Sequence, residues 1–241
     1  MTTTMPDTYE ARLERTLPEV RDRIARAAEV AGRSASSVRL VAVTKSHPIE
    51  AVEAALSAGL TDLGENRVEE LEAKVATLGR GAATWHMIGH LQSRKASRLV
   101  KIADVIHSVD SFRLAERISR AATEDGQRVT VLAQVNTTGE VTKGGFGVES
   151  ASDDIQRMAE LPGLFVNGLM TMAPFVDDEA VLGAAFGALR RLSERLTTAT
   201  DRVGHELSMG MTNDLEIAIR EGSTMVRIGT ALFGDRAGGA L

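Results

Sequence analysis

Eight short runs of strand length, the apolar Val38 to Thr44 the clearest, alternate with stretches of helical spacing along these 241 residues, and this alternation restricts the fold more than any other feature. The runs are Val38 to Thr44, Leu60 to Leu63, Thr84 to Ile88, Val105 to Ser108, Val129 to Val135, Val166 to Met170, Glu206 to Ser208 and Met225 to Ile228. A run of strand length that is apolar at successive positions is buried on both faces, as in a parallel sheet covered by helices. Between the runs, helices are predicted from Pro48 to Gly59, Val68 to Leu78, around Lys95 to Ile102, Ser111 to Glu124, around Ala151 to Glu160, Glu179 to Thr198 and Asp214 to Glu221. An earlier helix, Tyr9 to Ala31, follows from Leu13, Leu17, Val20, Ile24, Ala27 and Ala31 at steps of three and four, with a kink or restart expected at Pro18. This order and length fit an α/β chain folded as a single-domain (β/α)8 barrel, since an open doubly wound sheet more often stops at fewer strands. The expected layout is a disordered tail over residues 1–8 and a barrel with an extra N-terminal helix over 9–241. No proline-rich or charged linker and no internal repeat divides it.

Composition narrows the function. A net charge of -5 gives no basic field for a phosphate backbone, and six Phe, one Trp and one Tyr leave little to stack on bases, which argues against nucleic acid. With no cysteine there is neither thiolate chemistry nor a disulfide, which fits a reducing compartment. The opening MTTTMPDTYE has no basic or apolar targeting segment, and no apolar stretch is long enough to span a membrane. A cytoplasmic protein is expected.

In a barrel of this type the chemistry sits at the C-terminal ends of the strands, where Lys45, Asn66, His86, Asn136, Ser208 and Arg227 fall. A lysine leaving a buried strand either reaches out to solvent or, partly desolvated, becomes a neutral amine able to attack an aldehyde. The seventh strand ends in Ser208-Met209-Gly210-Met211-Thr212 and the eighth in Arg227-Ile228-Gly229-Thr230. Small and hydroxylated residues after these two strands suit a phosphate cradle, although either loop alone reads equally well as turn and cap chemistry. A phosphate cradle facing a lysine amine implies a ligand with a phosphate at one end and an aldehyde at the other, which describes pyridoxal 5′-phosphate.

The motifs AVTK, GENRVEE, WHMIGHLQSRK, GLMTMAP, LSMGMTNDLEIAI and STMVRIGTALFG cover nearly the whole chain. Through them the sequence resembles the pyridoxal-phosphate homeostasis proteins, also called the YggS or PROSC family, which look like the barrel domain of alanine racemase without its second domain. The resemblance implies that Lys45 forms the internal aldimine, that Ser208, Gly229 and Thr230 hold the phosphate, and that Arg227 faces the pyridine nitrogen. Asn66 would line the ring side. The chain departs from commoner family forms at Ser46-His47, His90 and Arg94, positions assigned to the rim of the site. Lys143, in the turn-rich loop from Asn136 to Gly147, is a weak candidate for a second, exchange-related lysine.

A guanidinium at the ring nitrogen keeps that nitrogen unprotonated and the cofactor a poor electron sink, unlike the carboxylate that aminotransferases and decarboxylases place there. The bland alternative is an arginine paired with an acid such as Glu206. The expected function is therefore binding, buffering or delivery of pyridoxal phosphate without robust turnover, in a non-enzyme. The expected partners are the cofactor and apo forms of the enzymes that use it, and a monomer is expected. An amino-acid racemase is the first alternative, disfavoured because a second proton carrier is needed and the lone Tyr9 lies near the predicted tail. A Schiff-base aldolase is the next. Metal chemistry is disfavoured, since His86 and His90 sit four apart at a strand end with nothing to complete a ligand set. The glycine-rich KGGFG lacks the spacing of a dinucleotide-binding turn.

Overall fold

The computed structural model describes residues 8–140 and 144–235. Helix α1 is Tyr9–Val30, started by the Thr8 hydroxyl, which accepts the Ala11 N–H at 3.2 Å. Thr8 thus belongs to the helix cap, while the rest of the predicted tail, like Lys143, lies outside the described residues. The restart expected at Pro18 does not occur. Leu17 and Val20, on either side of the proline, are buried on the same stripe and hold both turns against one wall.

The remaining elements alternate as predicted. They are β1 Arg39–Val43, α2 Ile49–Ser57, β2 Asp62–Glu65, α3 Val68–Leu78, β3 Thr84–Met87, α4 Ala96–Leu99, β4 Val105–Val109, α5 Phe112–Glu124 and β5 Val129–Asn136. After them come β6 Phe146–Gly147, α6 Ala151–Ala159, β7 Leu164–Met170, α7 Glu179–Ala199, β8 Glu206–Ser208, α8 Leu215–Arg220, β9 Met225–Ile228 and α9 Thr230–Phe233. Every strand pairing is parallel. The order β4-β3-β2-β1-β9-β8-β7-β5 is closed by β4 against β5, so among the described residues eight strands form the (β/α)8 barrel. The two-residue β6, inside a segment expected to be only turns, is an outlying strand on β5. After β9 the chain enters helix α9, whose Leu232 and Phe233 are buried together.

Strand alternation divides the side chains between two environments. Trp85, Ile106, Leu207, Val226 and Ile228 join the large core between sheet and helices. Their neighbours turn into the lumen, where Val105, Leu132 and Met170 cluster apart from that core. His86, His107, Ser208 and Arg227 share this inner face and are buried.

Helix α1 packs on α2, α8 and α9 and fastens the two loops at the end of the barrel. Arg23 grips Glu216 through two bonds of 2.6 and 2.9 Å and donates to the Thr212 carbonyl at 2.8 Å. Arg12 donates to the Phe233 carbonyl at 2.5 Å, and the Thr16 hydroxyl to that of Leu232 at 2.9 Å. The extra helix therefore holds the loops after β8 and β9 in place.

Candidate functional site

Lys45 stands two residues beyond β1, half-buried, in a turn closed by the His47 N–H on the Thr44 carbonyl at 3.0 Å. Ser46, the next residue, has φ of 61°, the only positive value at a non-glycine among the described residues. Such a conformation costs roughly 1–2 kcal/mol in an L-residue and persists only where the surroundings impose it. Here they do. The Ser46 N–H donates to Glu70 Oε2 at 3.0 Å, the Thr44 hydroxyl to Glu65 Oε1 at 2.5 Å, and Lys74 Nζ to both the Thr44 carbonyl, at 2.8 Å, and Glu65 Oε1, at 2.6 Å. Burial raises the Glu65 pKa, and the Lys74 charge opposes that shift. Glu65 Oε2 is buried without a partner.

Asn66 follows β2 directly and is half-buried. Gly89 lies against its backbone so closely that a Cβ there would stand 2.3 Å from the Asn66 carbonyl oxygen. On the other side, β9 pairs with β1, setting Arg227 beside Val41. Gly229 rests on Val43, with a Cβ position 3.3 Å from the Val43 carbonyl oxygen. The lysine turn and the loop after β9 are thereby neighbours at one mouth of the barrel. Gly229 caps α9 and Thr230 opens it, exposed, in a first turn where the Leu232 and Phe233 N–H groups donate to the Gly229 carbonyl at 2.9 Å. In the loop after β8, Gly210 has φ of 97° and an added Cβ would meet that of Ala218 at 2.6 Å, so only glycine fits.

Arg227 lies inside the barrel at 5% exposure. Its NH1 donates to the Ser208 carbonyl at 2.8 Å and to the Ser208 hydroxyl at 2.7 Å, and its NH2 to the Thr171 carbonyl at 3.0 Å. None of these acceptors is a carboxylate. Burial lowers the Arg227 pKa to about 10, partly offset by the Asp214 charge. The suggested pairing with Glu206 does not form, since Glu206 meets Arg39 and the Thr224 hydroxyl instead.

Ser208, assigned to the phosphate cradle by the resemblance, lies on the inner face of β8. Its hydroxyl points into the lumen between Arg227 and His107, 2.9 Å from His107 Nδ1, and the residue is fully buried. A strand that alternates inside and outside puts Ser208 on the same inner face as the arginine. Thr212, on the mouth side of Gly210, is the hydroxyl residue the β8 loop carries there.

Of the family departures, His90 and Arg94 are exposed rim residues, near Asp110 and Gln92. His47 is not at the rim. It is buried, its Nδ1 is 3.1 Å from the Tyr9 hydroxyl, and its ring packs with those of Tyr9 and Phe233. Tyr9, read as near a loose tail, is anchored in α1 beside the lysine turn. His86 and His90 are not brought together, because His86 bonds to Asp62 and His107 in the lumen. Three features escaped the sequence reading: the Glu65–Lys74–Thr44 cluster, the two lumen histidines and the Tyr9 anchor. The first two left a trace, a lysine on the buried stripe of α3 and histidines at inner strand positions.

The alanine racemase N-terminal domain family matches residues 17–237. A pyridoxal phosphate homeostasis protein of Pseudomonas aeruginosa is 41% identical over 93% of this chain and 96% of its own length. One from Aquifex aeolicus is 39% identical over 91% and 96%. The structure of PipY from Synechococcus elongatus, with pyridoxal phosphate bound, superposes with a TM-score of 0.77 at 37% identity, covering 88% of this chain and all of PipY. Extent and identity together make this chain a member of the pyridoxal phosphate homeostasis protein family, built on the alanine racemase N-terminal barrel.

Proposed function

We propose that this barrel holds pyridoxal 5′-phosphate at its mouth, covalently through Lys45, and serves in the binding, buffering or delivery of the cofactor without robust turnover. The observation that carries the reading is Arg227, a buried guanidinium hydrogen-bonded only to neutral acceptors, on the strand paired to β1, which Lys45 follows. No carboxylate bonds to it, Asp214 acting only through its field, and the guanidinium suits an unprotonated ring nitrogen. Thr230, the backbone of Gly229 and Thr212 would receive the phosphate, and Asn66 would flank the ring. The residues fit this group in their chemistry: a half-buried lysine after β1 and an exposed threonine hydroxyl after β9 stand at the same mouth, with Gly229 letting the two loops approach closely. When bound, the cofactor supplies an aldehyde for the lysine and a conjugated ring that drains electrons poorly unless its nitrogen is protonated.

The low expected turnover rests on the same arginine and on Tyr9, whose hydroxyl bonds His47 and whose ring packs on Phe233 at α9, leaving it placed as a structural anchor. Delivery to apo-enzymes and a cytoplasmic setting are part of this proposal; no helix among the described residues is long and apolar enough to cross a membrane. The test is a visible spectrum of purified protein with pyridoxal phosphate, before and after borohydride, followed by peptide mapping. A yellow band that reduction converts into a fixed adduct on Lys45 is expected. An adduct on another lysine would refute the assignment. Incubation with L-amino acids in deuterium oxide is expected to give no D-isomer at enzymatic rates, about 1 per second or faster.

A further inference from the structure

Behind Arg227 a chain of hydrogen bonds crosses the barrel lumen. His107 Nδ1 is 2.9 Å from the Ser208 hydroxyl, His107 Nε2 is 2.8 Å from His86 Nδ1, and His86 Nε2 is 3.0 Å from Asp62 Oδ1. Both histidines are fully buried. Neither belongs to the site described above.

The ends of this chain determine the direction of every proton in it. Arginine has only donors, so the Ser208 oxygen must accept from Arg227 NH1. The Ser208 oxygen keeps a second lone pair, but its buried proton also needs an acceptor, and among the described residues His107 Nδ1 is the remaining partner of that hydroxyl, so the arrangement that satisfies every group leaves Nδ1 as a bare lone pair. His107 therefore carries its proton on Nε2 and gives it to His86 Nδ1. His86 in turn carries its proton on Nε2, facing the Asp62 carboxylate. Both rings are neutral and of the same tautomer. Burial first, with the Arg227 and Arg39 charges, agrees for His107, since together they hold its pKa well below its ordinary value.

We infer that His107 and His86 are positioning residues, which orient the Ser208 hydroxyl so that it offers only lone pairs to Arg227 and thereby fix the guanidinium, still fully charged, toward the cofactor ring. This rests on the reading that Arg227 faces the ring nitrogen. A leucine at 107 would leave the Ser208 proton without its acceptor, free to turn toward Arg227 and repel it. The arginine would remain charged but lose its fixed orientation.

Two measurements decide the matter. The first uses the cofactor-free full chain with isotope-labelled histidine, whose side-chain nitrogen shifts at neutral pH report tautomer directly. His86 and His107 are both expected as neutral rings protonated on Nε2. A charged ring, or a proton on Nδ1 of either, would overturn the relay. The second compares wild type, His107→Leu and His107→Asn, the last keeping an acceptor near the place of Nδ1. His107→Leu is expected to bind pyridoxal phosphate about tenfold more weakly, as when one charge-assisted hydrogen bond is disturbed, and to displace the visible band and its pH profile. His107→Asn is expected to restore band and profile in large part. A folded His107→Leu protein with wild-type affinity and spectrum would refute the inference. If wild type itself takes up no pyridoxal phosphate, the reading of the site fails, while the tautomer result still decides the relay.

Discussion

The lysine side and the arginine side of the barrel mouth solve the same electrostatic problem in opposite ways. Below Lys45, charge is buried in opposed pairs: Glu65 with Lys74 at 2.6 Å, both nearly inaccessible, with Thr44 completing the cluster. Below the loops after β8 and β9, Arg227 is buried with no carboxylate bonded to it, among carbonyls, a hydroxyl and, further back, two histidine rings, with the Asp214 charge acting on it without a hydrogen bond. A paired charge can lock a turn, because its field is spent locally; an unpaired one projects its field toward the mouth. The difference teaches that the lysine side is built for shape and the arginine side for potential. Substitutions on the first should act on stability and on the second on affinity.

The largest expected effect tests the first half of that contrast. Lys74→Ala leaves the Glu65 carboxylate buried and uncompensated, and breaking a buried pair in this way costs about 3–5 kcal/mol. Glu65→Gln should cost less, because a neutral amide removes the charge that burial opposes. The pH dependence separates the two. The folded pKa of Glu65 is raised above its ordinary value of 4.5, so between that value and the folded pKa the native state holds a proton that the unfolded chain lacks. Stability contributed by this group therefore falls as pH rises through that window and is fully present below it. Urea unfolding of wild type and Glu65→Gln should show their difference widening on the alkaline side in favour of the glutamine. A Lys74→Ala protein as stable as wild type would remove the distinction between the two sides.

On the arginine side the expected effects are on ligand binding. Ser208→Ala, acting through Arg227, should weaken pyridoxal phosphate and unphosphorylated pyridoxal by similar factors. Thr230→Ala should weaken only the phosphorylated ligand, by roughly tenfold for one hydrogen bond to a charged group. Parallel titrations of the two ligands give the answer. A selective loss of the phosphate ligand in Ser208→Ala would return Ser208 to the cradle.

That revision of Ser208 shows where the sequence was readable. The barrel was legible because each strand and helix announces itself within a few residues, and the strands at Glu206–Ser208 and Met225–Ile228 were placed to the residue. Lys45 was legible as the charge at the end of an apolar run. Ser208 was placed at the end of its strand, but its inward facing was not legible, because inner or outer facing is fixed by register against β7 and β9, which is a long-range property. The lumen chain was hidden for the same reason: His86, His107 and Ser208 come from three strands, and the last bond spans 101 residues. Tyr9 looked peripheral because its partners, His47 and Phe233, are contributed by the two ends of the barrel wall that α1 bridges.

The smallest expected effect concerns Ser46, where the two sides meet in the lysine turn. At φ of 61° serine is strained, and glycine would relieve that strain while adding freedom to the unfolded chain. These contributions oppose each other, so Ser46→Gly should change stability by less than about 1 kcal/mol. Its effect on Lys45 has no such cancellation. Serine is held in this conformation by the Glu70 bond and by the Glu65–Lys74–Thr44 cluster, and a glycine in its place lets the turn sample other shapes. If the cluster serves to aim the lysine, Ser46→Gly takes up pyridoxal phosphate more slowly and holds it a few-fold less tightly at nearly unchanged stability. Ser46→Ala keeps a Cβ and with it the strain, and should behave like wild type. Stopped-flow absorbance on the three proteins is the measurement. Equal uptake by glycine and serine would mean that the strained turn is only a by-product of packing the buried ion pair, and that the lysine needs no aiming.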